Sequence, residues 1–368
     1  MNWFQRIFRN AATAANEPRL KGQVRFIPMY LRSVDTADWR NAIEAYKAAT
    51  PRPYDLQAIY EQQLLSDAHL ASEVQKRRLA ITTCLVSAKV GGIDFDLTKV
   101  APMGQWQELF GQILDARLFG WTLLDFDPER LDWELLPRAN YAPHKRAIYL
   151  DGIGSETPLE NFPTVACIDT KTPGLLATAT YWSIYKRNGM IDFAQYAEMY
   201  GMPIQDISYS GNDPKIKEEL KNLLQNQGSR AGLVLPEGVE VNTRNGANSA
   251  ANEVYTSLIE TCNAEISKVI VGQTMTTTDG SSYSQAKVHH QIYQAFNAAD
   301  RTFCEMMFHK EVYPVLQRLY RIPEGLRFSL YEDEAVDRGQ LIDQDVKLAT
   351  LIQLPEKWLR ERYGIPEV

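Results

Sequence analysis

The 368-residue sequence has no long apolar run and only four cysteines. A membrane-spanning helix needs about 18 or more predominantly apolar residues in a row, and no such run occurs. The segment Met1–Arg9 also lacks the uninterrupted apolar stretch of a signal peptide. The cysteines show neither a CxxC motif nor a Cys/His metal spacing. We therefore expect no membrane contact, and reduced, buried thiols at Cys84, Cys167, Cys262 and Cys304.

Positive charge is also scarce. The chain carries 39 Lys and Arg against 46 Asp and Glu, a formal net charge of −7. This balance argues against a protein that coats nucleic acid by electrostatic attraction, although a local basic face or a neutral tunnel is compatible with it. The hydrophobic content of 45% favours a globular protein of two or three domains.

The locally basic segment is the start of the chain. Its first 26 residues contain five basic side chains and one acidic one, which gives a charge of +4. A flexible tail and an amphipathic arm that docks on a partner or an anionic surface both fit this pattern. We assign residues 1–34 to an N-terminal arm.

Motifs for catalysis are absent from the sequence. There is no HExxH, GxxxxGK[ST] or GxSxG motif, and no GxGxxG motif follows a strand. On a helix, the adjacent His289 and His290 would point about 100° apart, so they cannot share one metal ion. Asp125, Asp127 and Asp132 are the best metal candidates, but turn formation explains them more simply. We predict no enzyme, no catalytic residue, no metal site and no cofactor.

Helical periodicity dominates the start of the globular part. Apolar residues recur at helical spacing between residues 35 and 90. The last helix of this block is predicted to include Leu85 and Val86 and to end at Gly91-Gly92. Residues 106–150 then predict one helix and three short strands.

The next block predicts helices around a small strand-containing module. A helix over 175–186 is followed by a separate short helix, which Asp192 would cap and Gly201 would end. Residues 204–241 predict an exposed βαβ-like module.

Two side-chain clusters have competing interpretations. The Lys76-Arg77-Arg78 cluster fits a solvated turn of helix better than a phosphate contact. A set of aromatic residues could stack bases, but its helical spacing and its lack of interleaved arginine favour core or subunit packing. The set comprises Tyr181, Trp182, Tyr185, Phe193, Tyr196 and Tyr200.

The segment 272–284 is the most informative part of the chain. Apolar stripes at spacings of three and four predict long helices on both sides of it, the second bent at Pro314. Gly272 and Gly280 permit positive φ, and the threonines between them resist helix formation. No Lys or Arg lies within it, and its only charge is one aspartate. The segment therefore cannot hold phosphate by ion pairing.

Several stretches resemble the Mu-type phage portal proteins. The signature is Ile266–Thr277 followed by Gly280–His289, and a second characteristic stretch is Asp192–Pro203. The two occur in the order typical of that family. Shorter similarities lie at Asp67–Leu70, Lys76–Arg78 and Tyr363–Pro366, so the resemblance covers most of the chain.

The resemblance implies an α+β, mainly helical portal fold with wing, stem and clip regions and a reduced crown. Such proteins form a ring, commonly of twelve subunits, at one vertex of a tailed-phage capsid, and double-stranded DNA is packaged and ejected through it. The implied boundaries are 1–34 for the arm, 35–173 for the wing, 174–200 for a stem helix, 201–250 for the clip, 251–271 for a second stem helix, 272–284 for a channel loop, 285–320 for a long wing helix, and 321–368 for a short crown-like tail.

The implied partners are other copies of the chain, non-specifically bound double-stranded DNA, the terminase large subunit, head-completion or adaptor proteins, and capsid and scaffold proteins. The implied location is the virion, after assembly in the host cytoplasm. The candidate channel-loop residues are Gln273, Thr274, Thr276, Thr277, Thr278, Ser281 and Ser282. The candidate docking residues of the clip are Lys215, Lys217, Glu218 and Lys221. The candidate subunit-interface residues are Val254, Leu258, Ile266, Ile292 and Phe296.

Neutral hydroxyl groups suit a channel for DNA independently of the resemblance. Each Lys or Arg bound to phosphate adds affinity and hence friction, whereas a hydroxyl can touch phosphate without holding it. Two other classes remain open. A non-ring minor head or adaptor protein would share the helical, motif-poor character, and an enzyme acting on nucleic acid or sugars would need a convergent polar site.

Overall fold

The computed structural model describes residues 34–150, 156–200, 204–209, 213–216, 218, 239–244, 249–272, 283–320, 322–331, 345–349, 355 and 358. The predicted N-terminal arm lies outside these residues except for Val34. The seven candidate channel-loop residues also lie outside them, because the description stops at Gly272 and resumes at Tyr283.

The described residues are mainly helical. The principal helices are α1 (Thr36–Lys47), α2 (Tyr54–Ser66), α3 (Ala68–Thr82), α4 (Met103–Phe119), α5 (Leu176–Tyr200), α6 (Ser249–Val271), α7 (Tyr283–Met307) and α8 (Tyr313–Tyr320). The strands are β1 (Leu85–Val90), β2 (Ile93–Asp94), β3 (Trp121–Phe126), β4 (Trp133–Leu135), β5 (Tyr141–Ala142), β6 (Ala147–Tyr149), β7 (Glu156–Pro158), β8 (Val165–Asp169), β9 (Ile204–Tyr209), β10 (Val239–Arg244) and β11 (Leu326–Tyr331).

Small antiparallel sheets accompany the helices. Their strand orders are β11-β1-β2, β4-β3-β8, β5-β6-β7 and the pair β10-β9. The α+β, mainly helical class predicted from the sequence is confirmed.

Local caps explain where the first helices begin. Asp35 forms a capping box at α1: its Oδ1 accepts hydrogen bonds from the backbone N–H of Ala37 and Asp38, each at 2.8 Å, and Asp38 Oδ2 accepts one in return. Asp67 Oδ1 accepts the N–H of His69 and Leu70 at 3.0 and 3.1 Å at the start of α3. Each cap satisfies backbone donors that the first helical turn leaves unpaired.

The helix predicted to include Leu85 and Val86 ends earlier, which corrects that prediction. Both residues lie in β1, and Gly91-Gly92 forms the turn from β1 to β2 rather than a helix end. Strand β1 pairs along its whole length with β11, a strand that the sequence analysis did not predict. The alternation along β11 is regular: Leu326, Phe328 and Leu330 are buried, and the residues between them are exposed.

Helix α5 is continuous, which corrects the prediction of two helices. Asp192 lies inside it and is not a cap. Along most of its length α5 packs against α6, and this packing outweighs the local tendency of an aspartate to begin a new helix. Strands β9 and β10 pair antiparallel. Most of the helix and the strand predicted between them lie outside the described residues, so the βαβ-like arrangement stays a prediction.

The largest core lies between α4, the β1–β11 pair and the α7–α8 segment. Its centre is aromatic: Phe308 and Phe328 have ring centroids 4.3 Å apart, and Trp106 lies 5.3 Å from Phe328. A second core joins α1, α2, α5 and α6. The two cores share helices α3 and α4.

The long helix predicted over 285–320 is interrupted just before Pro314. A π-helical turn, Phe308–Val312, separates α7 from α8. Proline has no N–H and its ring crowds the carbonyl one turn earlier, so a regular α-helix cannot pass through this position unchanged. The structure therefore shows a local change of helix type next to Pro314, where the sequence predicted a bend.

The four cysteines are buried and unpaired, as predicted. Burial raises the pKa of the Cys167 thiol to about 12 and also raises those of Cys262 and Cys304. These thiols stay protonated at neutral pH and act as small apolar side chains. Among the described helices, none combines the length and apolar character needed to cross a bilayer.

Part of the aromatic set on α5 packs within the protomer. Tyr181 lies 5.1 Å from Trp39 of α1, and Phe193 and Tyr196 lie 5.2 and 5.9 Å from Tyr255 of α6, all between ring centroids. These contacts support the packing interpretation for those residues over base stacking.

Candidate functional site

The C-terminal half of α6 is held firmly inside the protomer. Cys262, Ile266 and Ile270 are fully buried. Helix α5 approaches closely because Gly189 has no side chain: a Cβ there would lie 2.7 Å from Leu258 Cδ2. Lys186 Nζ donates to Asn263 Oδ1 at 2.9 Å, which adds a polar link between the same two helices. These contacts therefore anchor α6 to α5.

Gly272 ends α6 and begins the segment 273–282. Its φ of +76° is the left-handed conformation that closes many helices. A Cβ at this position would lie 2.5 Å from the ring of Phe296 on α7. Glycine is required here for two reasons, since any other residue would be strained in its backbone and would collide with that ring.

Arg77 of α3 contacts both the end of α6 and helix α7. Its Nε and Nη2 donate to Asp300 Oδ2 and Oδ1 at 2.7 and 2.9 Å, and its Nη1 donates to the carbonyl oxygen of Ile270. The guanidinium carbon lies 5.5 Å from the ring centroid of Phe296. The arginine is only 3% exposed, so the interpretation of Lys76-Arg77-Arg78 as a solvated turn is wrong for Arg77.

Arg117 of α4 completes this group. Its Nη1 donates to Asp300 Oδ1 at 2.7 Å, while its own side chain is about one third exposed. Asp300 is 1% exposed and is satisfied by two arginines. We call Arg77, Arg117, Phe296, Asp300 and the carbonyl of Ile270 the Arg77 cluster. It joins four helices, α3, α4, α6 and α7, where the chain leaves α6.

The carbonyl of Ile270 needs this contact because the helix ends there. In a continuing helix, the backbone N–H four residues later donates to such a carbonyl, and the last turn of a helix lacks these donors. Arg77 donates to the Ile270 carbonyl from a charged group, which forms a stronger hydrogen bond than a neutral donor. The end of α6 is therefore fixed by a side chain from α3 and not only by its own backbone.

The predicted subunit-interface residues divide into three groups. Val254 and Ile292 are 66% and 37% exposed, so both are available to a neighbouring molecule. Leu258 is partly buried against Gly189. Phe296 is partly buried against Arg77 and Gly272. Ile266 is fully buried in the protomer's own core and is unavailable to another subunit, which corrects its assignment.

The predicted docking residues are described only in part. Lys215 and Glu218 are exposed, and the backbone N–H of Lys215 donates to Asp213 Oδ1 at 2.9 Å. Lys217 and Lys221 lie outside the described residues. Their role as a docking surface stays a prediction.

The carboxylates considered for metal binding have structural roles. Asp125 Oδ1 accepts from the hydroxyl of Thr164 at 2.6 Å, and Asp127 and Asp132 accept nearby backbone N–H groups at 2.9 and 3.0 Å. Within the described part of the chain, no group of three or more His, Cys, Asp or Glu side chains is placed to hold a metal ion.

Sequence reasoning missed the Arg77 cluster, although one signal pointed to it. Phe296, Asp300, Phe303 and Met307 follow the helical spacing of the buried face of α7, so the sequence places an acidic residue on an apolar face. A carboxylate in that position needs a basic partner. Nothing in the sequence identifies Arg77, more than 200 positions earlier, as that partner.

Comparison with known proteins decides the family. A family model described as the portal protein of Mu bacteriophage matches residues 57–365. The chain belongs to this family. The Mu-type resemblance inferred from the sequence motifs is thereby confirmed.

Two curated relatives come from a phage and a prophage. The portal protein of Escherichia phage Mu is 28% identical over 207 residues, which cover 53% of this chain and 40% of that protein. The Mu-like prophage FluMu protein gp29 of Haemophilus influenzae is 27% identical over 206 residues, which cover 52% and 39%. The chain spans about two fifths of the length of these Mu-family relatives.

A solved structure shares the fold. A chain from the neck of a native gene transfer agent particle, computed with C12 symmetry, matches with a TM-score of 0.54 and 14% identity. The match covers 89% of this chain and 99% of that one. The Mu-family chain described here and that neck chain therefore have the same overall architecture.

Proposed function

We propose that twelve copies of this chain form a closed ring at one vertex of a phage-type capsid, and that double-stranded DNA enters and leaves through its centre. The observation that carries the proposal is the match of the Mu portal family across residues 57–365. The C12 symmetry of the gene transfer agent neck supports the subunit number. The exposed Val254 and Ile292 supply apolar surface of the kind that a subunit interface buries.

In this ring, α5 and α6 form the stem, and the segment 272–284 is the channel loop. The segment has no Lys or Arg, and its Thr and Ser hydroxyls can contact phosphate without binding it tightly. The firm attachment of α6 to α3, α4 and α7 favours this assignment, because the residues that meet a moving duplex need a rigid base.

The remaining regions take the roles that the portal family implies. Residues 35–173 and 285–320 form the wing, residues 201–250 the clip and residues 321–368 a short crown-like tail. The terminase large subunit and head-completion proteins dock on the clip near Lys215 and Glu218, and capsid and scaffold proteins contact the wing. The ring assembles in the host cytoplasm and remains in the virion.

Electron microscopy with native mass spectrometry tests the ring directly. We expect annular particles with a central hole and a mass of twelve protomers of 41.9 kDa each. A chain that stays monomeric at high concentration under every assembly condition, with no central hole, would contradict the proposal.

Deletion of residues 212–230 tests the docking role separately. The expected result is rings of normal mass that no longer bind the terminase large subunit. Unchanged terminase binding by these rings would remove the docking assignment and leave the ring itself in place.

A further inference from the structure

We propose that a pocket between α2, α5 and α6 binds the side-chain amide of a glutamine from the partner subunit. The inference rests on the proposed function, because it places this contact between neighbouring copies in the ring. The pocket has a volume of about 350 Å³. Its wall includes Gln63, Asp67, Arg187, Met190 and Ile259, and we call it the amide pocket.

The wall of the amide pocket contains polar atoms that the protomer does not satisfy. Gln63 Nε2, Asp67 Oδ2 and Arg187 Nε are buried and have no hydrogen-bond partner among the described residues. The other side-chain oxygens of Gln63 and Asp67 are used: Gln63 Oε1 accepts from Ser183 Oγ at 2.9 Å, and Asp67 Oδ1 accepts from Lys186 Nζ. Buried polar atoms without a partner lower stability, and folded proteins have few of them. Three in one wall therefore indicate that a further group completes it.

A second pocket of the same volume gives the contrast. It lies beside the π-helical turn and is lined by Arg146, Lys310 and Glu311, among other residues. Arg146 Nη2 and Lys310 Nζ lie 3.0 and 3.1 Å from the carboxylate oxygens of Glu311. Among the described residues that line this second pocket, none has a buried side-chain polar atom without a partner. Pocket formation alone therefore does not produce the unpaired atoms of the amide pocket.

The unpaired atoms specify the chemistry of the missing group. Gln63 Nε2 and Arg187 Nε are donors and need an oxygen acceptor, whereas Asp67 Oδ2 is an acceptor and needs an N–H. A primary amide carries both on one planar group. A carboxylate has no N–H and would meet the charge of Asp67, and an ammonium group has no acceptor for the two donors. Met190, which is 48% exposed, and Ile259 supply apolar surface for the methylene groups that carry the amide.

Helix α7 presents suitable amides on another surface of the protomer. Gln291 and Gln294 are exposed and lie three residues apart, so they share one face of the helix. Ile292 next to them is 37% exposed, and the exposed Ala295 and Ala298 permit a close approach. Helix α7 packs on α3, α4 and β11, while the amide pocket is formed mainly by α2, α5 and α6. A closed ring joins two different surfaces of each copy, and these two are chemically complementary.

A cryo-electron microscopy map of the wild-type ring tests the contact directly. We expect the side-chain amide of Gln291 or Gln294 of the partner subunit within hydrogen-bond distance of Gln63 Nε2 and Asp67 Oδ2. An amide pocket that is empty, that holds only water, or that receives a side chain without an amide would overturn the proposal.

Two variants of the full chain test the same contact from its two sides. Gln63→Glu keeps the size of the side chain and an acceptor for Ser183, but replaces the donor Nε2 with an oxygen. Its control is Gln62→Glu, the same change at the neighbouring position of α2, which does not line the amide pocket.

The double variant Q291A/Q294A removes the amides from α7. Both positions are exposed, so the fold of the protomer does not depend on them. Its control is Gln75→Ala, which removes an exposed glutamine from α3. Because this variant leaves the amide pocket unchanged, it decides the question even if Gln63→Glu fails to fold.

Sedimentation velocity measures the protein concentration at which half of the chain is assembled. Gln63→Glu and Q291A/Q294A should each raise this concentration about tenfold, since each removes hydrogen bonds that include a charged partner from every interface. Combining them should raise it little further, because both remove the same contact. Gln62→Glu and Gln75→Ala should assemble at the wild-type concentration.

The outcomes separate this inference from the proposed function. If wild-type protein forms rings and Q291A/Q294A forms them at the same concentration, the amide contact is wrong and the ring remains. Equal effects of the variants and their controls, or effects that multiply when the two variants are combined, would also overturn it. If wild-type protein forms no ring under any condition, the proposed function itself fails.

Discussion

The two halves of α6 share the same apolar spacing but differ in burial. In the C-terminal half, Cys262, Ile266 and Ile270 are fully buried against neighbouring helices of the protomer. In the N-terminal half, Val254 continues the stripe but is 66% exposed. Amphipathic periodicity therefore identifies which side of a helix is apolar. Whether the apolar side meets the same molecule or another one depends on how far the rest of the protomer extends along it.

The largest expected effect of this difference in burial is at Ile266. Replacing Ile266 with Ala should lower the free energy of unfolding by about 2–5 kcal/mol, because the side chain is fully buried and its removal leaves a cavity. Val254→Ala on the same helix should lower it by less than about 0.5 kcal/mol. Urea unfolding of the dissociated protomer measures both. Equal losses would mean that the two halves do not differ in this way.

Gly272→Ala tests the contact between the C-terminal end of α6 and α7. We expect a loss of about 1–3 kcal/mol, since alanine is strained at φ +76° and its Cβ would meet the ring of Phe296. Gly325 is a matched control, because it has the same φ of +76° with no atom within 4 Å of a built Cβ. Gly325→Ala should cost less in the same unfolding experiment. If both substitutions cost the same, the Phe296 contact contributes nothing.

Tyr255→Leu tests the less buried half, where rings cover part of α6. The substitution removes the contacts with Phe193 and Tyr196 and should lower the free energy of unfolding by about 0.5–1.5 kcal/mol. In a double-mutant cycle with Phe193→Leu, the two effects should be smaller together than their sum. Strict additivity would indicate that the rings do not interact.

Val254→Asp should have the smallest effect on the protomer and a clear effect on assembly. Its free energy of unfolding should change by less than about 0.5 kcal/mol, because the side chain is exposed. In a ring, burial of the new carboxylate would be unfavourable, so sedimentation velocity should show loss of the high-mass species. Thr256→Asp, an exposed change on another side of α6, should leave assembly intact. Normal assembly of the Val254 variant would place the interface elsewhere.

Elements whose signals are local were predictable from the sequence. The apolar spacing of α1 and α2, and the short strands after α4, arise from neighbouring residues. The family resemblance was likewise visible in two contiguous stretches, Asp192–Pro203 and Ile266–His289.

Features that depend on distant residues were not predictable in the same way. Leu85 and Val86 extend a helical pattern, and only pairing with β11 makes them a strand. Asp192 has the character of a cap, and only packing against α6 keeps it inside α5. Arg77 sits beside two other basic residues on a polar stretch, and its burial depends on Asp300 in another part of the chain. In each case the deciding energy comes from a contact that no local window contains.

The pairing of β1 with β11 also constrains how the protein is made. Leu85 pairs with Tyr331, so this sheet remains incomplete during synthesis until residues 326–331 have left the ribosome. Contacts between such distant positions form slowly, because a long loop must close before they contribute. A nascent chain therefore cannot complete its largest core until β11 has been made, about 240 residues after β1.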